Sequence, residues 1–246
     1  MKWILITGAS GGIGSELVKL FMNTEWGVIA TDKKRINEFK TSKQFINLDL
    51  EYLVNDQNNL IEFKNNINEI TNGSSISAIV NNAALQIVKP FDQLSIHDWQ
   101  SSINVNLLAP IILSKLFLRD LVQTNGSIIN ITSIHNVLTK NNFAAYATTK
   151  TALAGLTRSL SIELAPAIRV NGIEPAAIDT EMLNSGFKNS DFKKEDLFRF
   201  HPTNSIGTPK DIFNAVQFLL NPENSFLNGS IIKISGGIHN RLYDLN

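Results

Sequence analysis

Short runs rich in Ile and Val alternate along the chain with longer stretches whose apolar residues recur every three or four positions. WILIT (3–7), GVIAT (27–31), QFINL (44–48), SAIVNN (77–82), GSIINIT (126–132), IRVNGIEP (168–175) and GSIIKIS (229–235) read as strands. Several lack polar alternation, as strands covered on both faces of a parallel sheet do. Between them, segments near 13–23, 52–70, 98–123, 145–165 and 209–220 carry the helical spacing. In the last of these Ile212, Ala215, Val216 and Leu219 share one face, and Asp211, close behind Pro209, marks the helix start. The alternation predicts an α/β chain with a doubly wound parallel sheet of about seven strands and helices on both faces. The stretch from about 176 to 208 breaks the pattern. It is polar, carries Phe187, Phe192, Phe198 and Phe200, and ends in HPTNSIGTP. A connection of that length is expected to be a functional substrate loop or lid, or a disordered segment, and its phenylalanines either line the lid or pack a short helical excursion against the body.

Composition narrows the class. The 246 residues are 43% hydrophobic with no compositional break, which suits one domain over 1–246. Lys+Arg and Asp+Glu both number 22, and no basic stripe is present, so nucleic acid is not an expected partner. The densest charge cluster, DKKR at 32–35, is an ordinary solvated loop on composition alone. The absence of cysteine excludes disulfides, zinc–thiolate sites and a cysteine nucleophile, and fits a reducing compartment. The N-terminal apolar run is too short for a signal-peptide core, and no stretch approaches a membrane span of about 20 apolar residues. A soluble cytoplasmic protein without membrane partners is expected. His97, His201 and His239 show no ligand spacing, so no metal site is expected.

Candidate chemistry begins at TGASGGIG (7–14), where four glycines follow the first strand and open the first helix. Ordering so much glycine is entropically costly. The arrangement has a use: glycines let backbone N–H groups approach a pyrophosphate, and the helix N-terminus adds unpaired donors and a positive dipole end. The second strand ends at Asp32, near the spacing at which an acidic residue accepts hydrogen bonds from the adenosine ribose. A carboxylate there repels a 2′-phosphate and favours NAD(H). Lys33 and Lys34 pull the other way, so NADP(H) is not excluded.

A second constellation is Ser133 with Tyr146-Ala-Thr-Thr-Lys150. Residues i and i+4 share a helix face, so the Lys150 ammonium is expected near the Tyr146 phenol. A neighbouring cation favours phenolate and would move the Tyr pKa of about 10 toward neutrality. Tyr146 then becomes an acid–base group for an alcohol or a carbonyl. Ser133 ends a predicted strand, where such sheets place their ligands.

With these residues in hand, the chain resembles the short-chain dehydrogenase/reductase family, in its short single-domain branch, over nearly its full length. TGASGGIG is similar to the family's cofactor loop, NNAA (81–84) to its Asn-Asn-Ala-Gly motif, and INVNLLAP (103–110) to its helix bearing a catalytic Asn. Ser133, Tyr146 and Lys150 resemble its catalytic set, and NGIEPAAIDTEM (171–182) the strand and loop that close over the nicotinamide. The resemblance implies a Rossmann-type fold and roles for particular residues. Tyr146 exchanges the proton with the substrate oxygen, Ser133 hydrogen-bonds that oxygen, and Lys150 lowers the Tyr pKa and binds the nicotinamide ribose. Asn106 anchors a water that relays protons through Lys150. Gly8, Ser10, Gly12, Ile13 and Gly14 line the pyrophosphate, Asp32 the ribose, and Asp49 with Leu50 the adenine edge. Asn81 and Ala83 follow the fourth strand, while Pro175, Ile178 and Thr180 belong to the nicotinamide loop. NADPH-preferring members often carry Arg or Lys where this chain has Gly11.

Three positions depart from the family pattern: Ala84 replaces Gly, Ala176 stands where Pro-Gly is usual, and Ser235 stands where Asp is frequent. None belongs to the catalytic set. His135, two residues past Ser133, is either a substrate-side group for a polar or anionic moiety or a plain loop histidine. The small-residue segment YATTKTALAGLTRSL either packs inside a monomer or, as the resemblance implies, lies across the interface of a homodimer or homotetramer. The leading expectation is an NAD(H)-dependent enzyme acting on a small secondary alcohol or its ketone. An NADPH-dependent 3-oxoacyl-type reductase and a non-catalytic dinucleotide sensor are the alternatives.

Overall fold

The computed structural model describes residues 1–34, 44–185 and 193–242. Among these residues seven strands form one wholly parallel sheet: β1 (Lys2–Thr7), β2 (Trp26–Asp32), β3 (Phe45–Asn47), β4 (Ile76–Asn81), β5 (Ser127–Ile131), β6 (Arg169–Pro175) and β7 (Ile231–Ile234). Their order is β3-β2-β1-β4-β5-β6-β7. The chain winds outward from β1 to one edge, then returns to start β4 on its other side. Side chains of β1 alternate between two cores: Ile4 and Ile6 face one, Trp3 and Leu5 the other. Both sets must therefore be apolar, which is why WILIT shows no polar alternation.

The first core lies under α1 (Gly12–Phe21) and α9 (Pro209–Leu220). Ile212, Ala215, Val216 and Leu219 all bury into it, as their spacing predicts. Asp211 accepts from both the backbone N–H and the hydroxyl of Thr208, which fixes the start of α9. The second core lies under α2 (Leu50–Leu53), α3 (Gln57–Thr71), α5 (Ala109–Leu116) and α6 (Leu118–Thr124). The 20-residue α7 (Ala144–Glu163) packs on β6.

The helical regions differ from their expected continuity in two places. The stretch near 52–70 divides into α2 and α3, because Asp56 caps a new helix through a bond from Asn58 N–H. The stretch near 98–123 is α4 (Ile96–Ile103), a π-helical turn (Asn104–Leu108), then α5 and α6. The region from 176 to 208 holds a short α8 (Glu181–Ser185) and a 3-10 helix (Lys194–Phe200), with Phe198 half-buried and Phe200 exposed. Phe187, Lys188, Asp191 and Phe192 lie outside the described residues, as do Arg35 and the tail from Tyr243 onward. Among the described residues no helix is long and apolar enough to cross a membrane.

Candidate active site

The candidate cofactor and catalytic residues named from the sequence lie at or after the carboxyl ends of β1 to β6. β1 delivers the glycine turn. Gly8 has φ +66, and a Cβ there would lie 2.7 Å from the Ala83 Cα; a Cβ on Gly14 would lie 2.0 Å from the Gly8 carbonyl oxygen. These two positions admit only glycine because three backbone segments converge there. On Gly12 a Cβ would meet the Thr180 side chain at 2.7 Å, so the loop after β6 closes directly on the turn. Gly11 caps α1 with no side-chain hydrogen bond, which leaves the first-turn N–H groups for an anion. Ile13 packs at the margin of the first core.

The turn is braced from β4. The Asn82 amide donates to the carbonyls of Thr7 (2.9 Å) and Gly8 (3.2 Å), and the Thr7 hydroxyl accepts from the N–H groups of Asn82 and Ala83. Sequence reasoning picked Asn81 and Ala83 from NNAA and missed Asn82 and Thr7; the doubled Asn ending a buried strand was the available signal. Asn81 instead donates to Asn130 at 2.8 Å, and Asn130 to Thr157 at 2.9 Å, a buried polar ladder under α7. Ala84 and Ala176 both keep negative φ, so neither position requires the glycine the family often has there.

At the end of β2, Asp32 accepts from Ser10 N–H (3.0 Å) and Lys34 N–H (3.2 Å), holding its carboxylate beside the glycine turn. The Ser10 hydroxyl donates to the Lys34 carbonyl. Lys33 and Lys34 are exposed. Asp49 caps α2 by accepting from Glu51 N–H at 2.9 Å, while Leu50 is buried in the second core. After β6, which ends at Pro175, Ile178 is buried and forms a parallel bridge with Gly207. The Thr180 hydroxyl donates to the Ile178 carbonyl.

Ser133 leaves β5 in extended conformation with its hydroxyl accepting from His135 N–H at 3.3 Å, while Tyr146 is buried on the first turn of α7. Lys150, one turn on and 1% exposed, donates to the Ile131 carbonyl at 2.7 Å with Nζ 5.7 Å from the Tyr146 ring centre. The expectation that Lys150 draws the phenol toward neutrality is not met. Burial pushes Tyr146 up to about 12, with the Ser133 side chain acting in the opposite sense. Burial likewise pulls Lys150 down to about 7. Desolvation acts on both groups and outweighs their proximity.

Asn106 is fully buried in the π-helical turn. Its side chain is committed to protein: Oδ1 accepts from Leu85 N–H (2.7 Å), and Nδ2 donates to the Leu85 carbonyl and the Thr149 hydroxyl (both 2.9 Å). This clamp ties the segment following NNAA to α7 and uses both amide hydrogens of the side chain. Thr149, beside Lys150, was not picked from sequence. His135 stacks on Phe143 (4.5 Å, 2°) and meets the Tyr146 ring edge-on at 5.6 Å. Burial, reinforced by Lys140, pulls its pKa down to about 4, so it borders the phenol as a neutral imidazole.

The model of the short chain dehydrogenases matches residues 2–191. The chain belongs to the short-chain dehydrogenase family. Protein FixR of Bradyrhizobium diazoefficiens is 33% identical over 97% of this chain and 87% of its own. The 3-oxoacyl-[acyl-carrier-protein] reductase FabG of Rickettsia felis is 31% identical, covering 96% of each. Among solved structures, ligand-free aldohexose dehydrogenase of Thermoplasma acidophilum superimposes with a TM-score of 0.90 at 28% identity, covering all of this chain and 96% of the other. A 4-hydroxyisoleucine dehydrogenase complexed with NADH (0.87, 28%) covers 98% of this chain and all of the other. ElxO with NADP bound (0.84, 28%) covers 98% and 99%. As a short-chain dehydrogenase, the chain keeps the glycine-rich turn, the helix start without a side-chain cap and the carboxylate at β2 that suit a nicotinamide dinucleotide.

Proposed function

We propose that the protein is an NAD(H)-dependent oxidoreductase interconverting a small secondary alcohol and its ketone. The observation that carries this reading is buried Lys150, held against the Ile131 carbonyl one helical turn from buried Tyr146 with Nζ 5.7 Å from its ring centre, beyond the same sheet edge as the glycine turn. Gly8, Ser10, Gly12, Ile13 and Gly14 would receive the pyrophosphate, and Asp32 the adenosine ribose. Asp49 and Leu50 would border the adenine, with Asn81, Ala83, Pro175, Ile178 and Thr180 along the nicotinamide half. When bound, the nicotinamide supplies or accepts the hydride.

The protein's own part is the proton. With its pKa raised to about 12, Tyr146 keeps the phenolic proton through the neutral range and can donate it to a carbonyl oxygen as that oxygen gains charge. Ser133 donates to the same oxygen and steadies the developing charge. Lys150 keeps its place against the Ile131 carbonyl, one helical turn from the phenol, where an ammonium would steady the phenolate left by proton donation until solvent reprotonates it. Asn106 acts at one remove, fixing α7 through Thr149. Neutral His135 would offer a hydrogen bond to a polar group of the substrate.

Asp32 favours NAD(H). The second reading, an NADPH-dependent 3-oxoacyl-type reductase, draws on exposed Lys33 and Lys34 and on the similarity to FabG. An oligomer is also proposed. Phe91 and Ile96 are each more than 70% exposed, and Ile103 and Leu108 add apolar surface along α4 and the π-helical turn. A homodimer or homotetramer would cover them.

The test is a panel of hydroxy acids, sugars and polyols assayed with NAD and with NADP, beside Tyr146→Phe. Turnover by the native protein that drops roughly a thousandfold in the variant, with dinucleotide binding unchanged, supports the reading. Turnover that survives Tyr146→Phe contradicts it.

A further inference from the structure

Helix α7 carries Tyr146 and Lys150, yet little large apolar surface holds it in place. Its buried face is mostly alanine, threonine and serine, and Leu153 is the only buried aliphatic residue on it larger than alanine. Such a face has few ridges to lock the helix along its own axis. Hydrogen bonds supply the lock. Thr149 and Thr157 lie eight residues apart on the buried face and make the same arrangement. Each hydroxyl donates to a carbonyl of the preceding turn, Thr149 to Tyr146 at 2.9 Å and Thr157 to Leu153 at 2.8 Å. Each hydroxyl oxygen also accepts from the amide of a buried asparagine on another element, Asn106 for Thr149 and Asn130 for Thr157, both at 2.9 Å.

The two latches hold different supports. Asn130 stands on β5, so the Thr157 latch fastens the middle of α7 to the sheet. Asn106 closes on the backbone of Leu85, three residues past Asn82, and Asn82 donates to the carbonyls of Thr7 and Gly8. The Thr149 latch therefore refers the carbonyl of Tyr146 to the segment that braces the glycine turn. Tyr146 and Lys150 flank Thr149 within one turn of the helix, so both take their places from it. Removing the Thr149 hydroxyl would leave an Asn106 N–H without its acceptor where water does not reach, a costly defect that movement of the helix would relieve.

We propose that Thr149 is a positioning residue for the reaction, its hydroxyl fixing the first turn of α7, and with it the Tyr146 phenol, relative to the glycine turn. The inference rests on the reading of Tyr146 as the proton donor. Thr149 itself is 1% exposed and acts only through Tyr146. Thr157 makes the same kind of bonds on the same helix without touching the Tyr146 carbonyl, and so separates positioning from simple support.

The experiment compares three variants of the full chain: Thr149→Val, which keeps the shape and loses the hydroxyl, Thr149→Ser, which keeps the hydroxyl, and Thr157→Val. Kinetics are taken on a substrate from the panel above, with rates counted per NADH-binding site so that unfolded protein does not enter. Thr149→Val is expected to lower kcat roughly tenfold or more with KM held within about twofold. Thr149→Ser should recover to within about threefold of the native kcat, and Thr157→Val should stay in that range although urea unfolds it as readily as Thr149→Val. A native kcat in Thr149→Val overturns the proposal, as does a Thr149→Ser or Thr157→Val as slow as Thr149→Val, or a rise in KM with kcat unchanged. Should Thr149→Val not fold, Thr149→Cys, with its weaker hydrogen-bonding thiol, takes its place with a smaller fall, and a native kcat there overturns the proposal. A second readout needs no turnover. In ring-13C tyrosine spectra the Tyr146 resonance, identified by its loss in Tyr146→Phe, should move in Thr149→Val and return in Thr149→Ser, while that of exposed Tyr52 stays. A native protein without turnover would contradict the oxidoreductase reading and leave the spectra to decide this inference; a Tyr146 resonance unmoved in Thr149→Val overturns it.

Discussion

Lys150 is buried to 1% on the carboxyl edge of the sheet, where burial holds its pKa at about 7 instead of the usual 10.5. The folded state therefore resists protonating it more than the unfolded chain does. Between about pH 7 and 10.5 the unfolded chain binds the extra proton, so this group's contribution to stability rises with pH across that window. Lys150→Met removes the desolvation cost, loses one hydrogen bond, and is expected to stabilise the fold at pH 7 by about 2 kcal/mol while abolishing turnover. Chemical denaturation at pH 6 and pH 9 checks it. The native protein should gain stability relative to the variant as pH rises, and a constant difference would contradict the account. Carbonyl reduction should also fall as pH rises through about 7, where Lys150 loses its charge, while Tyr146 stays protonated throughout. A reduction rate flat from pH 6 to 9 would remove Lys150 from the mechanism. This balance was not legible in the sequence. The i, i+4 spacing of Tyr146 and Lys150 reports that they are neighbours, whereas the desolvation that decides both pKa values comes from strands and helices distant in the chain.

At the scale of elements, the strands were readable almost to the residue, because a parallel sheet covered on both faces demands uninterrupted apolar runs. The breaks in the helices were not. The π-helical turn at Asn104–Leu108 interrupts a region whose apolar spacing continues, and its purpose shows only in three dimensions, where it delivers Asn106 to Leu85 and Thr149. Asn82 was overlooked for a related reason: its partners, Thr7 and Gly8, lie more than seventy residues away. Asn82→Ala leaves the Thr7 and Gly8 carbonyls without their amide donor, and is expected to cost about 1–3 kcal/mol of stability. It should also weaken NADH binding by loosening the glycine turn; urea denaturation and a dinucleotide titration measure the two. Undiminished affinity would mean the turn holds its shape without the brace. By contrast, Gly11 has an ordinary backbone conformation (φ −79, ψ 166), and a Cβ there would meet nothing closer than 3.5 Å. Gly11→Arg should fold normally and improve NADPH binding relative to NADH.

For the whole molecule, the topology explains why residues so far apart in sequence converge. The chain winds outward from β1 in both directions, so the glycine turn after β1, Asn82 after β4, Ser133 after β5 and the Pro175–Thr180 loop after β6 reach one sheet edge. The exposed apolar strip along α4 is what an assembled form would cover. Ile96→Glu should lower the mass seen in sedimentation if an oligomer forms there, and an unchanged mass would place any interface elsewhere. The account rests most on the edge that gathers the glycine turn and Asp32. Its most direct test is fluorescence titration of the native protein with NADH and with NADPH, beside Asp32→Ala. Saturable binding, tighter for NADH and losing that preference in Asp32→Ala, is the predicted result. Failure to bind either dinucleotide would contradict the oxidoreductase reading and leave only the fold.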